Sequence, residues 1–493
     1  MAAPVPLNPA NGTSEPSTLV AIGSVVGASF GGRFLRFVKT LAVARLLSPD
    51  RYGVFAALVV LMNYAQFLEL GTSTAAFRDL ASAAGRGDGR EAWHAAGRMA
   101  TLKLAATLIL GALALAASFW PGVPGPLRQG LVALPVIALT AALLSQALQH
   151  LQAEGRAGEY GRLTILAAAA DLVLSVGLTA AWGLAGLLVG AALSPAVALA
   201  WAARRRVLAP PRGVPSPLLR GYVKTGVPLA ALALLDQSLL SVGQVLVMAF
   251  LSLRDLGLYN VAFVLAEALR TLGTAAGAVL GPRLLREYSR AVGRLEAIRR
   301  HTLQPVLIYA RVLPLPIALL WIAGSFALGR YYPAYTEAVR PMQVLLIASN
   351  FLVVLSGVTT FLFAIDKHPR NLLFLAPALS FNVVIDVALL RLGWGLMAVA
   401  VGSLVTYFGY AAAALWYVSG HFDSGRRPRL CFLTGALAPG IGVGVAMTLL
   451  ERVFPYRGSL AATAAAAALV TLLCGPLAWG GLGLARRLDD PQS

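Results

Sequence analysis

Residues 31–70 read GGRFLRFVKTLAVARLLSPDRYGVFAALVVLMNYAQFLEL. Two long apolar runs flank Ser48-Pro49-Asp50, a helix-start signal. Each run can cross a hydrocarbon core of about 30 Å as a helix. The first run nevertheless carries Arg33, Arg36 and Lys39, one cation every third residue. The second carries Asn63, Gln66 and Glu69 at the same spacing.

The rest of the chain repeats the apolar theme. Its 493 residues are 58% apolar and 12% charged, with a mean hydropathy of +0.74; a soluble domain carries roughly 25% charged residues. Apolar runs predict fourteen membrane helices at 20–44, 53–75, 98–119, 131–150, 162–181, 184–203, 224–250, 257–281, 304–327, 341–363, 372–390, 395–418, 430–450 and 459–483. Of the 40 basic residues, 25 fall in loops on one side and nine in loops on the other. The positive-inside rule then places both termini in the cytoplasm. The same dispersion of charge explains the net +19 without nucleic acid.

The chain also repeats itself. LSPDRYGVF from Leu47 returns as LSLRDLGLY from Leu251, and WGLAGLLVG from Trp182 returns as WGLMAVAVG from Trp394. Spans 1–6 therefore correspond to spans 7–12. An even number of spans per repeat makes the two halves parallel, as in two-lobed secondary transporters. The expected architecture is an all-α integral membrane protein of about 14 transmembrane helices: two parallel-repeat six-helix lobes plus two C-terminal helices. Its parts are a cytoplasmic tail (1–19), an N-lobe (20–203), a basic linker (204–223), a C-lobe (224–418), spans 13–14 (419–483) and a second tail (484–493).

On a helical wheel Gly23, Gly27 and Gly31 form a small-residue seam, and Arg33, Arg36 and Lys39 fall on a separate stripe. That stripe cannot face lipid, because one cation at mid-span costs about 3 kcal/mol even on the lenient insertion scale. It predicts a hydrated cationic cavity wall. The alternative is pairing with the second-span stripe of Asn63, Gln66 and Glu69, whose one carboxylate cannot neutralise three cations. In span 8, Glu267 and Arg270 stand one turn apart and could neutralise each other. Asp236 and Gln244 add polar groups in span 7, and a buried Asp236 could carry protons or pair with Arg270. Arg311, two turns into span 9, lines an inner vestibule or anchors at the interface. Lys103, near the cytoplasmic end of span 3, reads as snorkelling, and Asp171 and Asp386 as structural groups near helix crossings.

Other chemistries lack their residues. No GxxxxGK[ST] loop, GxSxG elbow or His/Cys metal spacing occurs. Cys431 and Cys474 stand alone in separate apolar segments. The first 19 residues contain no basic n-region, so no cleaved signal peptide is expected. A transporter driven by a gradient, with no cofactor and no enzymatic step, is the expectation.

ARLLSPDRYGVFAALVVLMNYAQFLELGTSTAAFRD from Ala44, LSLRDLGLYNVA from Leu251 and FNVVIDVALLRLGWGLMAVAVGSLV from Phe381 resemble Wzx-type polysaccharide flippases of the multidrug/oligosaccharidyl-lipid/polysaccharide (MOP) exporter superfamily. The resemblance implies a central cavity lined by spans 1, 2, 7 and 8, alternating access, and a polyprenyl-diphosphate-linked oligosaccharide as cargo. Arg33, Arg36, Lys39 and Arg270 would face that cavity and grip the diphosphate, since guanidinium suits phosphate. Asn63, Gln66 and Gln244 would meet sugar hydroxyls. Asp236 or Glu267 would couple transport to H+ or Na+, and a polysaccharide polymerase would be an envelope-assembly partner. The alternatives are a lipid II flippase, a multidrug or toxin cation antiporter, and a non-transporting scaffold. Like charge argues against an organic-cation cargo.

Overall fold

Pro49 behind Ser48, and Asp88 ahead of Glu91, mark helix starts that the computed structural model realises. Ser48 is extended (φ −67°, ψ 153°) with Pro49 in the first turn, and Asp88 Oδ1 accepts from the Glu91 N–H at 3.0 Å. The structure describes residues 18–270, 295–365, 367–423, 425–454 and 459–489, and among them finds helices and no strand. The helices are α1 (Thr18–Leu46), α2 (Pro49–Ala65), α3 (Thr72–Gly85), α4 (Gly89–Ser118), α5 (Gly125–Ala153), α6 (Ala157–Arg204) and α7 (Ser216–Phe250). They continue as α8 (253–270), α9 (Leu295–Val312), α10 (Pro314–Tyr331), α11 (Val339–Ala364), α12 (Leu372–Arg391), α13 (Leu396–Ser419), α14 (Arg426–Val453) and α15 (Leu460–Asp489).

Eleven helical segments among the described residues are long and apolar enough to cross a membrane. The segment Ala157–Arg204 is two spans, because the chain reverses at Gly183. The cation-bearing α1 and the start of span 8 in α8 complete the expected fourteen, so this is a multi-pass integral membrane protein.

The Trp-Gly repeat marks equivalent reversals in the two halves. Gly183 has φ 58° and ψ −132°, and Gly395 has φ 53° and ψ −135°. That region is essentially restricted to glycine. Each reversal folds two spans back on each other, and a small residue lets them close. A side chain at Gly190 would strike the Ser175 backbone, and one at Gly402 would strike the Asp386 carboxylate. The other repeat is equivalent in packing too: Tyr52 and Val54 are buried in the first half, Leu256 and Leu258 in the second.

Two compact units result, Met1–Gln237 and Ser238–Ser493. The division falls within α7 rather than in the basic segment 204–223. The first part of α7 packs with the first unit because Gly226 lies backbone to backbone with Gly71, where a side chain on either residue would collide. In the second unit α14 lays Gly440 and Gly444 on Asn350 and Ile347 of α11, and α15 lays Gly481 on Ile308, Arg311 and Val312 of α9.

The second span differs from the sequence expectation of 53–75. Its α-helix ends at Ala65, and Gln66–Glu69 form a 3₁₀ turn. Leu70 (φ 49°) and Gly71 (φ 70°) then turn left-handed. The Thr72 hydroxyl donates to the Glu69 carbonyl at 2.6 Å, closing the break. Beyond it α3 is a separate amphipathic helix. Its Ala75, Ala76, Leu80 and Ala83 bury against Ala92, Ala95, Ala96 and Met99 of α4 and against Tyr222, whose hydroxyl donates to Asp79 at 2.7 Å.

Candidate functional site

The first helix is positioned by glycine, at Gly31 of the predicted seam and at its neighbour Gly32. Gly27 has open space around it, whereas Gly31 and Gly32 press on Ile165, Thr164 and Ala168 of α6. Gly32–Thr164 and Lys39–Asp171 share one sequence offset, so α1 and the first half of α6 run parallel. Lys39 and Gly32 lie only about 20° apart on the wheel, so Lys39 points into this contact. Its ammonium meets Asp171 Oδ2 at 2.9 Å, with the two side chains 12% and 19% exposed, and lies 5.2 Å from the centre of the Phe55 ring. Asp171 also accepts from the Ser175 hydroxyl at 2.9 Å.

Arg33 and Arg36 sit about 100° and 40° round the wheel from Gly32. Both are exposed, and among the described residues neither has a hydrogen-bonding or ionic partner. Three of the other in-span cations, Lys39, Lys103 and Arg270, are paired, whereas Arg311 has no ionic or hydrogen-bonding partner among the described residues. Lys39 is paired as above, and Lys103 of α4 stands 3.8 Å from Glu69 with side chains 10% and 14% exposed. Arg270 of α8 grips Glu267 in a fork, Nε to Oε2 at 2.7 Å and Nη2 to Oε1 at 2.9 Å. The three-cation stripe of the sequence is thus two unpaired guanidiniums and one structural ammonium. Glu69 answers Lys103 rather than α1, because the 3₁₀ turn carries it toward α4 and α5.

The remaining candidates scatter. Asn63 is half-buried, and its carbonyl accepts from the Gln66 amide at 2.7 Å. Gln244 is buried at 4% exposure and donates to Asn260 at 2.8 Å, so it ties α7 to α8 instead of lining a cavity. Asp236 is exposed and is not the buried carboxylate that proton carriage was argued from. Arg311 is half-buried beside Gly481 of the last helix. Lys103 does not snorkel: it is 8% exposed and faces a cavity.

In the second unit Asp386, expected to be a structural group like Asp171, has different surroundings. Asp386 and Asn382, one turn apart on α12, are each 0% exposed, and among the described residues none of their side-chain oxygens or amide nitrogens has a hydrogen-bond partner. Thr406 of α13, one turn beyond the Gly402 that backs onto Asp386, likewise keeps an unpartnered buried hydroxyl. A buried carboxylate with no hydrogen-bond partner is unfavourable, which sets Asp386 apart from its paired counterpart Asp171. The signal was present as NxxxD facing GxxxT, but Asp386 looked equivalent to Asp171, which is paired. A separate apolar cavity of about 530 Å³ lies among Ile347, Phe351, Leu404, Phe408 and Leu449, with Arg452 at its edge.

The fold is that of the MOP-superfamily transporters. An inward-facing multidrug-resistance transporter of the MATE family superposes with a TM-score of 0.61 at 13% identity, over 86% of this chain and 99% of its own. The lipid II flippase MurJ, in an inward closed conformation, gives 0.64 at 13% identity over 93% and 99%. A Pyrococcus furiosus MOP transporter with a binding pocket of reversed polarity gives 0.54 at 15% over 82% and 96%. Comparison with curated protein sequences gives no match. The family model for polysaccharide biosynthesis proteins matches residues 42–328, more than half of the chain, and the protein belongs to that family.

Proposed function

We propose that this chain flips a polyprenyl-diphosphate-linked oligosaccharide from the inner to the outer leaflet of a bacterial cytoplasmic membrane by alternating access, with both termini cytoplasmic. The observation that carries the reading is the pair Arg33 and Arg36, exposed and unpartnered on a membrane helix whose third cation is neutralised. Two guanidiniums one turn apart form charge-assisted, bidentate hydrogen bonds to phosphate oxygens. Left to lipid, each would cost about 3 kcal/mol, so a hydrated cavity wall is where they belong. An organic-cation cargo would meet like charge there. Membership of a polysaccharide biosynthesis family supports a glycan cargo, with an envelope polymerase as the downstream partner.

The unpartnered Asp386, with Asn382 and Thr406, supports coupling to a gradient. One carboxylate with amide and hydroxyl oxygens suits a proton or a monovalent cation, whereas Asp236 is exposed and Glu267 is committed to Arg270.

The test is the lipid-linked glycan pool in membranes of a strain lacking the protein and re-expressing wild type or Arg33→Gln/Arg36→Gln. Accumulation on the cytoplasmic leaflet, cleared by wild type and not by the double variant, is expected. Normal surface glycan in every strain overturns the proposal.

A further inference from the structure

The break in the second span opens a cavity wholly inside the first unit. It has a volume of about 410 Å³, and its polar wall includes Glu69, Ser73, Lys103, Ser145 and Gln149. That volume lies in the range of small-ligand pockets, about 300–1,000 Å³.

The polar groups here are left wanting. Lys103, 8% exposed, has its ammonium 3.5 Å from the Ser145 hydroxyl and 3.8 Å from Glu69. The first contact is at the limit of hydrogen bonding and the second lies beyond it. Among the described residues Ser73, 5% exposed, has no partner for its hydroxyl and Gln149 none for its amide oxygen. Buried groups of this kind normally find partners, so an occupant that both donates and accepts is called for. Its charge follows from the lining residues, in which Glu69 and Lys103 are the only ionised pair. They cancel, so neither an anion nor a cation gains from the site. Alanines 106, 138, 141, 142 and 230 keep the walls smooth and wide, and the Phe67 ring offers an apolar face. Donors, acceptors, a flat apolar surface and zero net charge together describe a neutral sugar ring.

We infer that this pocket holds one neutral sugar of the cargo. The inference rests on the flippase reading and deepens it: Arg33 and Arg36 take the diphosphate, and the broken second span selects the glycan. Irregular backbone at membrane depth is tolerated where it lines such a cavity, and broken helices mark transporter binding sites.

The experiment uses the purified full-length chain with Cys431 and Cys474, both free, replaced by serine. Ser73→Cys and, separately, Gln149→Cys are labelled with N-ethylmaleimide. Two probes are added: lipid-linked oligosaccharide extracted from producing cells, and undecaprenyl diphosphate without sugar. Binding of each probe is measured in parallel by microscale thermophoresis. At a concentration ten times Kd, an occupied pocket leaves about one site in eleven open. Labelling should therefore slow by about tenfold with the glycosylated lipid and be unchanged with undecaprenyl diphosphate. Equal protection by both probes overturns the inference, since the pocket would then hold headgroup or lipid. Binding of the glycolipid without protection at either cysteine overturns it while leaving the flippase reading intact. Failure of the glycolipid to bind at all removes both.

Discussion

Replacing Lys39 with methionine separates architecture from transport. The Lys39–Asp171 contact is 2.9 Å long, with side chains 12% and 19% exposed, and Lys39→Met leaves Asp171 only the Ser175 hydroxyl at 2.9 Å and the Ser194 hydroxyl at 3.4 Å. Breaking a buried pair by removing one partner destabilises by about 3–5 kcal/mol. The two hydroxyls and the residual exposure put this case near the lower end, about 3 kcal/mol. For a unit of this size each kcal/mol moves Tm by about 2–4 °C, so the melting temperature in detergent should fall by about 6–12 °C. Replacing both partners, Lys39→Met/Asp171→Leu, removes the orphaned charge and should return stability to within about 1 kcal/mol of wild type. That double variant should still deliver glycan to the surface. Arg33→Gln/Arg36→Gln should do the reverse, melting at or slightly above the wild-type temperature while abolishing delivery. The assay pairs thermal unfolding of the purified chain with the surface-glycan readout. A Lys39→Met loss below about 1 kcal/mol would refute the pairing argument. A stable Lys39→Met/Asp171→Leu protein that fails to export would show that Lys39 touches the cargo.

Gly190→Val should prevent the hairpin of spans 5 and 6 from closing, since the added side chain meets the Ser175 backbone; an overpacked core costs about 1–3 kcal/mol or more, seen as a lower Tm and less protein in the membrane. Asp386→Asn keeps the shape and removes the charge, so glycan delivery should lose its dependence on an imposed Na+ or pH gradient, measured in energised vesicles. Delivery by Asp386→Asn that still follows the gradient would place coupling elsewhere.

Much of this architecture is one-dimensional information. Apolar runs of about twenty residues are legible because the hydrocarbon core imposes a fixed length and satisfies no backbone group, so each span must be a helix whatever its neighbours do. The internal repeat is legible for the same reason: Trp182-Gly183 and Trp394-Gly395 mark turns whose backbone demands glycine locally, before any packing is considered. The odd placement of Arg33, Arg36 and Lys39 also stands out in the sequence, because a charge within a span is expensive wherever it points.

Which of those charges stay unpaired is a different kind of fact. Lys39 and Arg36 look alike along the chain, but Gly31 and Gly32 bring α1 against α6 and only Lys39 then meets a carboxylate. Glu69 was a plausible partner for α1 until the 3₁₀ turn at Gln66–Glu69 and the left-handed Leu70 and Gly71 swung it to Lys103. Asp171 and Asp386 occupy similar places in the two halves, yet one is paired and the other is buried with no hydrogen-bond partner among the described residues. The sequence by itself determined the membrane helices, their number and the doubled architecture, since those follow from local hydrophobicity and local backbone need. Only the tertiary structure decided which cations are neutralised and which polar groups are left waiting, because an ion pair in a low-dielectric interior depends on ångström distances between residues that can stand as far apart along the chain as Lys39 and Asp171.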